Sequence, residues 1–252
     1  MSFLSKLGVV ASRAGIDHPV NVGNGRLRAP LHVSTAVHNP QHSPHVGRFS
    51  NGLKEFLWQL EGMRRGTLLD MGPPWQDTLN FFIERGFKVY TEDLLNSWAG
   101  FLRDEKQQTK DAAMGGVEAG RSEEAGDPSP DARAERFITA NLQHTRDTFD
   151  AVLLWDLLDY LERDTAALVI SRLAGLVRNG GVILAVFHMR TPEHFQRYRV
   201  LDGVNLELVT AAPLVQPQHI YQNREIQDLF QGFRSSKFFV GRDQLREGVF
   251  VK

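Results

Sequence analysis

Asp70 and Asp93 are the residues whose type and spacing point most directly to chemistry. Asp70 opens the loop Asp70-Met71-Gly72-Pro73-Pro74-Trp75-Gln76, and Asp93 closes the next apolar run, 23 residues later. A carboxylate at the end of a second strand can accept hydrogen bonds from both hydroxyls of a ribose; the plainer alternative is a solvated acid at a strand end. Asp70 can organise its loop or cap the helix that follows, because acids collect at helix starts for dipole reasons alone. Trp155-Asp156 ends the run from Phe149, and His188 follows the run Val182 to Phe187. Asp156 and His188 are candidates for a catalytic role, against the structural alternatives of a helix N-cap and a hydrogen-bonded core histidine. His38, His42 and His45 form H-x3-H-x2-H, residues that can ligate Zn, Ni or Cu. No helix fixes that spacing and no carboxylate lies near it, so no metal is expected. Arg26, Arg28 and Arg48 can meet an anionic substrate or the acidic segment described below, or can simply be solvated.

The elements that must position these residues alternate. Ser50 or Asn51 can N-cap a helix with Leu53, Phe56, Leu57 and Leu60 on one face, and Gly66 closes it. Thr67 to Met71 reads as a strand, Trp75 to Glu84 as a helix and Phe87 to Thr91 as a second strand. Further strands are expected at Phe137 to Ala140, Phe149 to Trp155 and Val182 to Phe187, with a helix from Thr165 to Val177 and an Asn-Gly-Gly turn before the last. Such alternation implies a parallel sheet with helices on both faces. The tail reads as a hairpin over Tyr198 to Val209 turning at Asp202-Gly203, a helix from Asn223 to Phe230, and a closing β pair, Lys237 to Val240 with Gly248 to Val251.

Ordered this way, LLDMG before Pro73, VYTED through Asp93, FDAVLL from Phe149 and LVRNGGV from Leu176 resemble the motifs of the class I S-adenosylmethionine-dependent methyltransferases. The resemblance covers about residues 50 to 252. It implies a Rossmann-like, doubly wound α/β sheet of seven strands, order 3-2-1-4-5-7-6, mostly parallel with strand seven antiparallel. It also implies S-adenosylmethionine as cofactor, held by Asp70, Gly72, Asp93, Asn141 and Trp155. In that scheme Asp70 lies close to the methionine amine, Asp93 takes the ribose, the Asn141 carbonyl can accept from the adenine amine, and Trp155-Asp156 stands between cofactor and acceptor. The chain departs from the family at the glycines. Only Gly72 of the motif's three is present, with Pro74 and Gln76 at the other two positions. Proline has no N–H and fixes φ near about −65°, so Pro73 and Pro74 neither donate amides nor adopt positive φ. The amides of Trp75 and Gln76, at a helix start, remain to meet the cofactor's carboxylate.

Composition narrows the classes. The 252 residues are 42% hydrophobic, with 29 Lys+Arg against 30 Asp+Glu, which argues against coating a nucleic acid. No apolar run approaches the roughly 20 residues of a membrane span, and the apolar stretch near the N-terminus is too short for a signal peptide, so a cytoplasmic protein is expected. Zero Cys excludes disulfides and thiolate chemistry. Residues 1–49 read as a basic N-terminal arm and 50–252 as the methyltransferase-like domain, with an acidic insertion at 103–135. That insertion has nine Asp/Glu against five Lys/Arg and only Met114 and Val117 as large apolar groups, and is expected to be mobile. The activity implied is methyl transfer to an unidentified small-molecule or protein acceptor, an in-line displacement that needs alignment, exclusion of water and sometimes a base. The arm and the hairpin near 198–209 are candidates for the lid that excludes water. The rival is a non-catalytic binding or scaffolding protein of the same fold, motivated by the Pro-Pro loop. A nicotinamide-dependent oxidoreductase is weaker, because G-x-G-x-x-G is absent. A homo-oligomer stays open.

Overall fold

The computed structural model describes residues 47–114 and 129–252. The three arm histidines, Arg26 and Arg28 lie outside them, as do residues 115–128 of the acidic segment. The chain runs β1 (Arg48–Phe49), α1 (Asn51–Gln59), β2 (Gly66–Asp70), α2 (Gln76–Ile83), β3 (Phe87–Thr91), α3 (Leu94–Met114), α4 (Pro130–Asn141) and β4 (Phe149–Trp155). After a 3-10 turn at Leu157–Tyr160 come α5 (Arg163–Leu176), β5 (Val177–His188), β6 (Gln196–Val200), β7 (Asn205–Thr210), α6 (Asn223–Leu229), β8 (Ser235–Val240) and β9 (Leu245–Val251).

Six strands form the main sheet in the order β3-β2-β4-β5-β9-β8. The first four are parallel, and β9 runs antiparallel to both neighbours. Residues of the central strands alternate between two cores, as a two-residue side-chain period requires. Val152 and Leu154 face a core built with Trp98 of α3, Phe137 of α4, Val169 of α5 and Ile226 of α6. Ala151 and Leu153 face a second core with Leu53 and Phe56 of α1, Phe81 and Phe82 of α2, and Tyr198, Val200 and Leu206. The last three belong to the β6–β7 hairpin, which with β1 makes a separate three-stranded antiparallel sheet. Its turn is tied by Asp202, whose Oδ1 accepts from the amides of Val204 and Asn205, both at 2.8 Å.

The order is the expected one without its third strand, so the sheet has six strands among the described residues rather than seven. Phe137 to Ala140 lies in α4. Ser129 N-caps that helix by accepting from Ala132, Pro130 stands in its first turn where no intrahelical N–H is needed, and Ala134, Phe137 and Ile138 bury one face at i, i+3, i+4. Both ends of the acidic segment are also helical. The second half of α3 continues from an anchored first turn, in which Leu94, Leu95 and Trp98 are buried. Glu105 of α3 then accepts from Arg133 and Arg136 of α4 at 2.6 and 2.8 Å. The Asn-Gly-Gly expected as a turn is drawn into β5, with Gly180 at φ 84 and a register shift against β4 between Phe149 and Ala151. Among the described residues no helix is long and apolar enough to cross a membrane.

Candidate functional site

Asp70, Trp155 and His188 stand at the carboxyl ends of β2, β4 and β5, with Asp93 just beyond β3, so the topology gathers four of the sequence candidates at one edge of the sheet. Asp70 is buried. Its Oδ1 accepts from the Gly72 amide at 3.0 Å and from the Trp155 indole N–H at 2.7 Å, while Oδ2 is buried without a partner. Burial raises its pKa to about 6 against those two hydrogen bonds, and the charge of Asp93 adds to the rise.

Trp155 reaches Asp70 through an unusual backbone. Its φ is 54, in the left-handed region that a bulky residue rarely adopts, and β4 shifts register against β5 between Leu153 and Trp155. The turn throws the indole back over the first loop. A Cβ on Gly72 would lie 2.8 Å from both Cδ1 and Nε1 of Trp155, so only glycine fits beneath the ring. The indole also stacks on Tyr198 of β6, with centroids 5.5 Å apart and planes 4° from parallel. The amide of Trp75, expected to be free for a ligand, donates instead to the Pro73 carbonyl at 2.8 Å.

The hairpin that carries Tyr198 also engages Asp93. Arg197 donates to both carboxylate oxygens, at 3.0 and 3.1 Å, and Asp93 Oδ1 further accepts from the Asn96 amide at the start of α3. Val200 donates its amide to Thr78 Oγ1 of α2 at 2.9 Å, and Arg199 pairs with Asp77 and Glu207. The segment read as a lid is thus tied to Asp93 after β3, to Trp155 at the end of β4 and to α2. Arg48 pairs with Asp243, just before β9, and with Glu247 in it.

A second group lies behind Trp155. Asp159 Oδ2 accepts from the backbone amide of His188 at 2.7 Å and lies 2.9 Å from its Nδ1, leaving Nε2 to face Asp156 Oδ2 at 3.9 Å. Burial lowers the imidazole pKa, but the Asp159 hydrogen bond and the charges of Asp156 and Asp159 outweigh it, and the net shift is upward. Asp156 makes no side-chain cap bond to the turn it begins. Burial raises its pKa to about 7, opposed by His188 and reinforced by Asp159. Asp156 Oδ2, Asp159 Oδ1 and the hydroxyls of Tyr160 and Tyr198 are all buried without hydrogen-bond partners. A cavity of about 260 Å³ adjoins His188, lined also by Arg190, Thr191, His194, Gln196 and Gln244.

Asn141 is elsewhere. It is the last residue of α4, and its side-chain amide donates to the Phe137 carbonyl at 2.8 Å, one turn back. It stands at a helix end because the strand expected before it does not form. Sequence reasoning missed Asp159, Arg197 and Tyr198. The spacing Asp156-x-x-Asp159-Tyr160 is a usable signal for the first, but nothing local marks the other two. Among the described residues no three His, Cys, Asp or Glu gather as a metal site.

No family model and no curated protein sequence matches the chain. Solved structures with a similar course include the 1,6-didemethyltoxoflavin-N1-methyltransferase of Burkholderia thailandensis with S-adenosylhomocysteine bound. It is 16% identical, with a TM-score of 0.40 over 79% of this chain and 74% of that one. An S-adenosylmethionine-dependent methyltransferase from Clostridium acetobutylicum is 11% identical, with a TM-score of 0.40 over 79% and 90%. A proposed zinc-dependent alcohol dehydrogenase from Rhodobacter sphaeroides is 11% identical, with a TM-score of 0.42 over 81% and 90%. Likenesses of this size carry no weight for function, and the fold assignment stands on the strand pairings themselves.

Proposed function

We propose that this chain is a methyltransferase-fold protein whose nucleoside site is filled by its own side chains, and that it works as a non-catalytic binding or scaffolding protein. The observation that carries this reading is the Trp155 indole over Gly72. The ring covers the one motif glycine that the resemblance assigns to S-adenosylmethionine. Asp70, the acid that the resemblance assigns to the methionine amine, already accepts an N–H from Trp155, and Asp93, assigned to the ribose, already accepts two from Arg197. Protein donors thus stand in for the donors of a ligand at both carboxylates. The two prolines offer no amides in exchange, and Asn141 lies at the end of α4. No methyl-transfer step follows from this arrangement. Calorimetric titration with S-adenosylmethionine and S-adenosylhomocysteine tests the reading: no saturable heat is expected, and saturable binding at micromolar concentration overturns it.

A second reading, methyl transfer from S-adenosylmethionine to a small-molecule or protein acceptor, has a specific observation in its favour. Asp70 and Asp156 are buried carboxyls, each with an oxygen that has no hydrogen-bond partner, a costly arrangement that clusters at functional sites. That reading requires the hairpin to leave the strand ends and Trp155 to turn away from Gly72, and the same titration separates the two. The nicotinamide reading gains nothing, because β9 is antiparallel and the first loop lacks the glycine pattern.

A further inference from the structure

The hairpin traps more negative groups than it neutralises. His188 at the end of β5 and Arg197 on β6 face the covered region, and Arg246 and His219 lie near enough for their charges to act on Asp159. His188 has Asp159 as its carboxylate, and Arg197 has Asp93. Arg48, whose charge also reaches Tyr198, is taken up by Asp243 and Glu247. Among the described residues Asp70 makes no ion pair, and Asp156 shares His188 with Asp159, its Oδ2 3.9 Å from Nε2; each acid keeps an oxygen with no hydrogen-bond donor. Trp155 and Gly72 donate to Asp70 and the charge of Asp93 acts on it, while Asp156 feels Asp159 and Arg197 and has the hydroxyl-bearing rings of Tyr160 and Tyr198 near it.

A carboxylate sealed from water with no counter-charge, or only a shared one, is more stable there when protonated. We infer that the β6–β7 hairpin is a proton-controlled cover, closing onto Asp93 and Trp155 with Asp70 and Asp156 protonated and opening more often once they ionise. The inference rests on the reading above that the hairpin fills this site, and concerns its regulation. Closed, the two acids titrate near 6 and near 7, against 3.8 for an ordinary aspartate. The closed form therefore binds more protons than the open form between about pH 4 and pH 7, and its advantage declines across that window and levels off above it. His188 acts in the same direction, since its raised pKa also favours the closed, protonated form at low pH.

Hydrogen exchange on the full chain reads this directly. The amide of Val200, donated to Thr78 Oγ1, and the amides of the β6–β7 ladder report hairpin opening, with the fully buried β4 as the internal reference. After correction for intrinsic rates, opening is expected to rise tenfold or more from pH 5 to pH 7.5, while β4 changes much less. Asp70→Asn and Asp156→Asn, which keep shape and an acceptor oxygen, should each flatten the profile, and the pair should remove most of it. A flat profile in the parent protein overturns the inference, even if neither variant folds; so does an unchanged profile in the double variant. The cofactor titration is a separate measurement: saturable binding with a steep exchange profile removes only the proposed function, and no binding with a flat profile removes only the cover.

Discussion

Trp155 donates its indole N–H to Asp70 at 2.7 Å across 85 residues of sequence, and so closes the end of β4 onto the end of β2. The bond gives a buried carboxylate one of its two protein donors and fixes the ring above Gly72, where Tyr198 stacks on it. Trp155→Phe keeps most of the ring and the stack but removes the donor. The variant should lose about 1–3 kcal/mol, the usual cost of stranding a buried acceptor, measured as the urea midpoint at constant slope. A loss near zero would mean that the bond contributes nothing.

Asp156 makes the opposite prediction. Its folded-state pKa of about 7 lies above that of an unfolded aspartate, so it costs no stability at low pH and a growing amount as the pH rises toward 7. Asp156→Asn removes the ionisable group without changing volume. It should stabilise the protein at pH 8 by about 1–3 kcal/mol and leave stability near pH 4 unchanged. Denaturant unfolding at the two pH values checks the sign, and a variant less stable at pH 8 would show that the His188 charge outweighs the cost of burying the carboxylate.

Arg197 and Asp93 form the hairpin's outer tie, with side chains 12% and 22% exposed. Partial exposure limits the pair to about 0.5–1.5 kcal/mol in a double-mutant cycle of Arg197→Ala and Asp93→Ala. Both single variants should also speed exchange of the hairpin amides while the β4 amides stay protected. An additive cycle would make the pair a surface contact of no consequence.

These predictions concern contacts of unequal visibility in the sequence. The four parallel strands and the closing β pair are legible because their apolar runs are bounded by Gly, Pro or charged residues and recur between helical patterns. Phe137 to Ala140 is not, because a four-residue apolar run has no period of its own; the decisive residues are Ser129 and Pro130, which begin a helix eight residues earlier. Asp70 and Asp93 are legible as acids at strand ends. Their partners are not: Arg197 lies 104 residues from Asp93, and an arginine on a hairpin has the same local signature whether it is solvated or paired. The Pro-Pro loop announces an altered loop, but the rings near Gly72 come from β4 and β6, through a left-handed residue that no sequence rule expects at a tryptophan.

The filling of that site is tested most sharply by Gly72 itself. Gly72→Ala adds a methyl 2.8 Å from two indole atoms of Trp155, a ring held between a hydrogen bond and a stack and therefore slow to move aside. Overpacking of this kind should cost about 1–3 kcal/mol. Trp155→Ala alone should cost about 3–5 kcal/mol, because it empties a buried site and strands the Asp70 acceptor. If the indole is what excludes a side chain at position 72, the two changes cannot be independent: the alanine methyl enters space the indole has left, and the double variant loses less than the sum of the single losses. A shortfall of about 1 kcal/mol or more is expected from the cycle. Additivity within about 0.5 kcal/mol would mean that the indole does not lie over Gly72 in solution. The space closed to a ligand in this arrangement would then be open, and the methyl-transfer reading would take precedence.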